Sequence, residues 1–300
     1  VEYLVRLLKN QYRIAVLSRG YKRKTKGYLL ANEQSTASEI GDEPYQLKKK
    51  FPDIMVAVDA NRRNGIKRLL ELPEDERPEV LLLDDAFQHR YVQPSLSIVL
   101  TDYNRLFFFD RLLPAGRLRE RRSAINRADI VVTTKCPENL LPIDMRIIEK
   151  RMELFAHQKL FFTKTSYLPI KPVFPEEANT DTLTVQQEAI LIAGIAEPSH
   201  FIERMKDSFE KTHTFIFPDH HEFKEQDILK IGKTYQSIGN PTIITTEKDA
   251  ARLKNNPFLP DDWKKNIFYL PICIDFYAEL SASFDEAIKE HITNFRYTHK

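Results

Sequence analysis

Three hundred residues, 42% of them hydrophobic, are enough chain for roughly two domains with ordinary cores. A formal charge of +2 argues against a dedicated nucleic-acid binder, which carries a strong basic excess. The two cysteines, Cys136 and Cys273, have no metal-ligand spacing, which argues against a disulfide scaffold and for a reducing, cytosolic setting. No apolar run approaches the roughly 18 residues of a membrane span, and no signal-peptide pattern is visible.

The chain opens on a helical face of Val1, Leu4, Leu7 and Leu8 with no Ser, Thr, Asp or Asn cap before it. An apolar run, Ile14 to Leu17, follows and ends at Ser18-Arg19-Gly20. The pattern then predicts a helix over 39–50, a strand over 54–58, a helix over 61–72, and strands over 80–84, 96–101 and 130–134. Short buried β-branched runs separated by helices predict a parallel sheet covered on both faces. A helix over 141–157 and extended segments over 160–167 and 170–174 come next, then a linker with Pro169, Pro172 and Pro175. A second alternation has strands over 189–193, 212–217, 242–245 and 267–274, with helices over 201–209, 224–236 and 284–294. The resulting division is a first α/β domain at 1–165, a linker at 166–185 and a smaller α/β domain at 186–300.

Four apolar residues run into Asp84-Asp85. Ligands of open α/β sheets sit at the carboxyl ends of strands, and an Asp there can hold Mg²⁺ against nucleotide phosphates. A strand entering a solvated acidic turn gives the same pattern. Phe87-Gln88-His89-Arg90 adds three ligand-capable side chains to that turn. Such a strand needs a phosphate loop of the form G-x-x-x-x-G-K-[ST]. The one Gly-Lys-Thr, at 232–234, has Asp227 where the first glycine belongs and follows a helical pattern, so it is read as a decoy. The loop and its strand are expected upstream of Val1, opening the uncapped helix, and residues 1–300 alone are expected to be inactive.

Four further clusters carry charge at predicted loops. The stretch 18–27, SRGYKRKTKG, holds five cations and two glycines and suits an anion as well as a solvated turn. Asp42-Glu43 places two carboxylates at a helix start, suited to a general base or to the helix dipole. Arg117, Arg119 and Glu120 lie on a loop after the acidic strand, where arginine can neutralise a transferring phosphoryl group. Asp219-His220-His221-Glu222 lacks the i, i+4 pair of a zinc helix and reads better as an acid-oriented histidine. The run Phe107-Phe108-Phe109 is core or an apolar patch for lipid.

Taken in order, SRGYKRKTKG, GDEP, LLLDDAFQHR, LLPAGRLRE, ADIVVTTK, AGIAEPSHF, FPDHHEF and TTEKDAARL resemble the tetraacyldisaccharide 4′-kinases of lipid A synthesis, with a Bacteroidetes-like phrasing, over nearly the whole chain. The resemblance implies a P-loop NTPase-like domain and transfer of the ATP γ-phosphate to the 4′-hydroxyl of a tetraacylated glucosamine disaccharide 1-phosphate. It also implies Mg²⁺ and peripheral attachment to the cytoplasmic face of the inner membrane, with no nucleic acid and no obligate protein partner. It assigns Asp42 as base with His220 assisting and His221 as the alternative. Asp84, Asp85 and Glu43 would serve the metal, and Arg119, Glu120 and Gln88 the ATP phosphates. Arg19, Arg23 and His89 would serve the acceptor lipid, the arginines by charge. Arg121 stands where the family usually has Pro, which puts the positioning of Arg119 in question. The competing expectation is a non-catalytic α/β binding module with a kinase-like fold.

Overall fold

A computed structural model describes residues 1–178, 188–277 and 280–298. Contacts divide the chain into two units: Val1–Ser166 with Ile274–Lys300, and Tyr167–Cys273.

In the first unit, α1 (Glu2–Leu8) leads into β1 (Ile14–Ser18), whose five residues are all buried. Then come β2 (Leu29–Leu30), α2 (Ala37–Ile40), α3 (Asp42–Lys50), β3 (Met55–Val58), α4 (Arg62–Leu70) and β4 (Val80–Leu83). The helix predicted over 39–50 is two helices, broken at Gly41, whose φ of 94° is open only to glycine at low cost. These strands form a sheet of order β2-β3-β1-β4, with β1 parallel to β3 and β4. A second sheet holds β5 (Ile98–Asp102), β6 (Ile130–Thr134), β7 (Lys159–Tyr167) and β13 (Ile272–Phe276) in the order β13-β7-β6-β5. The single sheet expected of this half is therefore two four-stranded sheets among the described residues, with β4 and β5 as edges. Leu100 of β5 is 65% exposed. Helix α5 (Pro142–Met152) starts on proline, where no N–H is needed, and stops at a left-handed Glu153, short of the predicted end.

The sequence carries the second domain through residue 300, but the final helix, α9 (Leu280–Thr298), groups with the first unit. The cause is an aromatic cluster: Phe284 meets Tyr3 at 5.7 Å and Phe161 at 5.1 Å, and Phe276 meets Tyr3 at 5.0 Å. The Tyr3 hydroxyl also donates to Asp285 Oδ1 at 2.9 Å.

The second unit is a sheet of order β10-β9-β11-β12-β8. Its strands are β8 (Lys171–Pro172), β9 (Glu188–Ala193), β10 (Lys211–Ile216), β11 (Thr242–Thr246) and β12 (Ile267–Leu270). All but β8 run parallel. Strand β9 is buried on both faces. Ile190 and Ile192 pack with Tyr235 and Trp263, while Leu191 packs with Phe201, Met205 and Phe268. The covering helices are α6 (Ser199–Lys206), α7 (Glu225–Ile238) and α8 (Glu247–Lys254). The strand predicted over 267–274 splits at Pro271, which has no ladder N–H. Much of the predicted linker, 179–185, lies outside the described residues. The 232–234 Gly-Lys-Thr sits inside α7, where a Cβ on Gly232 would meet the Trp263 ring at 3.8 Å.

Candidate active site

The carboxyl ends of β1, β3 and β4 share one edge, because the strands are parallel and in register. Ser18 closes β1, and Asp59 and Asp84 directly follow β3 and β4. Ser18 Oγ donates to Asp84 Oδ2 at 3.2 Å. Arg62, 3% exposed, donates from Nη1 to the Asp59 carbonyl at 2.6 Å and from Nη2 to the Asp84 carbonyl at 3.0 Å, tying two strand ends together. Among the described residues its Nε has no hydrogen-bond partner. Burial holds the guanidinium below its ordinary range, and the Asp84 and Asp85 carboxylates offset part of that lowering.

The basic loop and the Asp42 helix are built against each other. Gly20 (φ 68°) and Gly41 (φ 94°) are both left-handed, and a Cβ on Gly41 would lie 3.1 Å from the Tyr21 carbonyl and 3.3 Å from Gly20. Lys24 N donates to the Ser38 carbonyl at 2.8 Å, closing the same contact. Asp42 is thereby set in the first turn of α3, half-buried, with Glu43 exposed beside it. Arg23 folds back over Gly20, donating to the carbonyls of Gly27 and Val58, and burial lowers its pKa. Arg19 is exposed, and its charge reaches Arg62.

After β4 the chain turns at Asp85 (φ 46°). Arg119 Nη1 lies 2.7 Å from both Asp85 carboxylate oxygens and donates to Gln88 Oε1 at 3.4 Å. Glu120 accepts from Arg127 at 2.5 Å and Arg90 at 3.1 Å; the Arg127 bond is the chief cause holding its carboxyl below the usual range. Arg127 lies over the Phe87 ring at 4.5 Å. A cavity of about 420 Å³ opens here, lined by Arg90, Arg119, Arg121, Arg127, Glu120 and Ser123 among others, a cationic wall suited to a polyphosphate. His89 is half-buried, its ring edge-on to Tyr91 at 6.1 Å. Arg121 has φ −61°, the value a proline would fix, so the backbone here is one that proline could adopt.

The structure therefore brings Arg119, Asp85 and Gln88 together, and joins Asp84 to Ser18. Among the described residues no three His, Cys, Asp or Glu side chains form a metal cluster, so Glu43 does not join Asp84 and Asp85 in one. That suits Mg²⁺, which takes one or two carboxylates and fills its shell with phosphate oxygens and water. Adjacent carboxylates with a serine hydroxyl at a strand end are the hard oxygen donors it needs.

In the second unit the carboxyl ends of β9, β10 and β11 carry the remaining motifs. His220, at φ 62°, places Nε2 3.1 Å from Lys248 Nζ and Nδ1 3.2 Å from Arg252 Nη2. His221 is used differently: its Nε2 lies 2.8 Å from Asp227, which caps α7, and its ring stacks on Phe217 at 4.7 Å. Sequence reasoning assigned no role to Ser18, Arg62, Arg127, Lys248, Asp249 or Arg252. Ser18 and the last three lie inside quoted motifs; Arg62 is marked by burial alone.

Parallel strands ending in acid, a cationic loop and an arginine-lined cavity define a phosphotransferase of the P-loop kinase class. The family model for tetraacyldisaccharide-1-P 4′-kinase matches residues 1–293. The tetraacyldisaccharide 4′-kinase of Parabacteroides distasonis is 50% identical over 97% of this chain and 80% of its own length. That of Bacteroides thetaiotaomicron is 46% identical over 96% and 78%. A crystal structure of LpxK from Aquifex aeolicus in complex with ATP superposes with a TM-score of 0.70 at 29% identity, covering 97% of this chain and 82% of that one. The chain belongs to the tetraacyldisaccharide-1-P 4′-kinase family.

Proposed function

We infer that this chain transfers the γ-phosphate of ATP to the 4′-hydroxyl of a tetraacylated glucosamine disaccharide 1-phosphate, a lipid A precursor. The observation that carries the reading is the acid-tipped edge of β1 and β4 beside the four-arginine cavity, in a chain half identical to a named 4′-kinase. Asp84 and Asp85 would hold Mg²⁺, which when bound neutralises charge on the phosphates. Arg119, Gln88 and Glu120 line the phosphate side. Asp42 accepts the proton of the attacking hydroxyl, with His220 assisting. His221 is the weaker candidate, since Asp227 and Phe217 already hold it in a helix cap. Arg19, Arg23 and His89 would face the acceptor headgroup.

The lipid acceptor supports peripheral attachment at the cytoplasmic face of the inner membrane. No helix among the described residues is long and apolar enough to cross a membrane. Phe107 and Phe108 pack into the core, whereas Phe109 is 63% exposed and Leu113 62%, an apolar edge suited to an acylated surface.

Incubating the full-length gene product with ATP, Mg²⁺ and the disaccharide 1-phosphate tests the reading. Phosphorus NMR should show a second phosphomonoester, at the 4′ position. Absence of that product rejects the function.

A further inference from the structure

Asp249 is wholly buried at the first turn of α8. Its Oδ2 accepts from Gly194 N at 2.7 Å and Thr246 Oγ1 at 2.7 Å, binding the loop after β9 to the end of β11. Its Oδ1 accepts from Arg252 Nη1 at 3.0 Å, and the same nitrogen reaches the Gly194 carbonyl at 3.4 Å. The other arm of Arg252, Nη2, ends 3.2 Å from His220 Nδ1. A buried carboxylate thus aims a guanidinium at one chosen nitrogen of the imidazole.

The opposite nitrogen faces a second cation. Lys248 Nζ lies 3.1 Å from His220 Nε2 and 2.8 Å from Asp219 Oδ1, with Asp219 Oδ2 3.7 Å from Nε2. A neutral imidazole has one donor and one acceptor, while arginine and lysine only donate, so at most one of these cations hydrogen-bonds to the ring. Arg252 is the fixed one. Its planar fork is held by a fully buried carboxylate, whereas Lys248 is a flexible point charge held by a partly exposed Asp219.

We propose that Asp249 and Arg252 are positioning residues for the phosphotransfer, fixing His220 in the tautomer with Nδ1 as acceptor and Nε2 as proton donor. Lys248 then serves Asp219, the carboxylate on the Nε2 side. The catalytic consequence rests on the reading of His220 as an assisting residue; the tautomer does not.

Nitrogen NMR of the histidine-labelled full-length gene product, with His220 assigned by its loss in His220→Ala, reads the tautomer directly. The expected spectrum has Nδ1 unprotonated, and Arg252→Gln should shift it toward the Nδ1–H form. Arg252→Gln should also lower kcat on the order of tenfold or more with KM nearly unchanged, Arg252→Lys should recover part of that loss, and Arg252→Gln should add nothing in a His220→Ala background. An Nδ1–H tautomer in the parent protein, or independent losses in the double variant, would overturn the proposal. A His220→Ala variant of full activity, with Nδ1 still unprotonated in the parent, would instead reject the role given to His220. Should Asp249→Asn fail to fold, Arg252→Gln still decides, because Arg252 lies on the outer side of the network.

Discussion

A single guanidinium nitrogen, Arg119 Nη1, stands 2.7 Å from both oxygens of Asp85. Both side chains are more than half exposed, so the pair contributes at most about 1 kcal/mol to stability. A residue assigned to phosphate and one assigned to metal hold each other. Arg119→Ala should therefore leave the unfolding free energy within about 1 kcal/mol of the parent. It should reduce kcat/KM for ATP by about tenfold or more, since arginine neutralises the transferred phosphoryl group. Steady-state kinetics beside urea unfolding separates the two effects; a large stability loss with normal kinetics would refute the assignment.

Arg62 joins the ends of β3 and β4 from a buried position. Arg62→Ala leaves the Asp59 and Asp84 carbonyls without these donors, at a cost of about 1–3 kcal/mol for each buried group. The expected result is a clear fall in the denaturant midpoint together with weaker Mg²⁺-ATP binding by calorimetry.

Proline at 121 should fit. The backbone there already has φ −61°, so Arg121→Pro should stabilise by about 0.4–1 kcal/mol through the unfolded chain. Calorimetry should show a small rise in Tm, while the loss of one arginine from the cavity wall should weaken ATP binding. A drop in Tm would mean that the loop needs the Arg121 N–H.

The Glu120 carboxyl is held below its ordinary range, chiefly by its hydrogen bond from Arg127. A lowered folded pKa stabilises above the unfolded value of about 4.3, and that stability is lost as pH falls through the folded value. Thermal melts should therefore show Glu120→Gln losing its stability deficit relative to the parent in this acid window. Equal deficits at neutral and acid pH would contradict the ion-pair account.

The sequence exposes local patterns and hides long-range ones. Strand β6 is read residue for residue at Ile130–Thr134, because a short β-branched run has one reading. Helix α8 is missed, since five of its eight residues are charged and only Ala250, Ala251 and Leu253 mark an apolar face directly after β11. Allegiance of the last helix is set by Phe276 and Phe284 meeting Tyr3, nearly the whole chain away, and no local signal reports it. The acidic pair, the basic loop and the histidines are legible as motifs. Arg62 is not, because its importance comes from burial and from two carbonyls that only folding brings near. The pairing of Gly20 with Gly41 is likewise invisible until both are seen with positive φ.

The most direct test of the account compares the full-length gene product with its Asp42→Asn variant in the 4′-phosphorylation assay. The parent should form the 4′-phosphorylated lipid with ATP and Mg²⁺. Asp42→Asn should lose about a hundredfold or more in kcat with KM for the lipid nearly unchanged, as removal of a general base requires. A parent that makes no 4′-phosphate, or a variant whose turnover survives while lipid affinity falls, would contradict it.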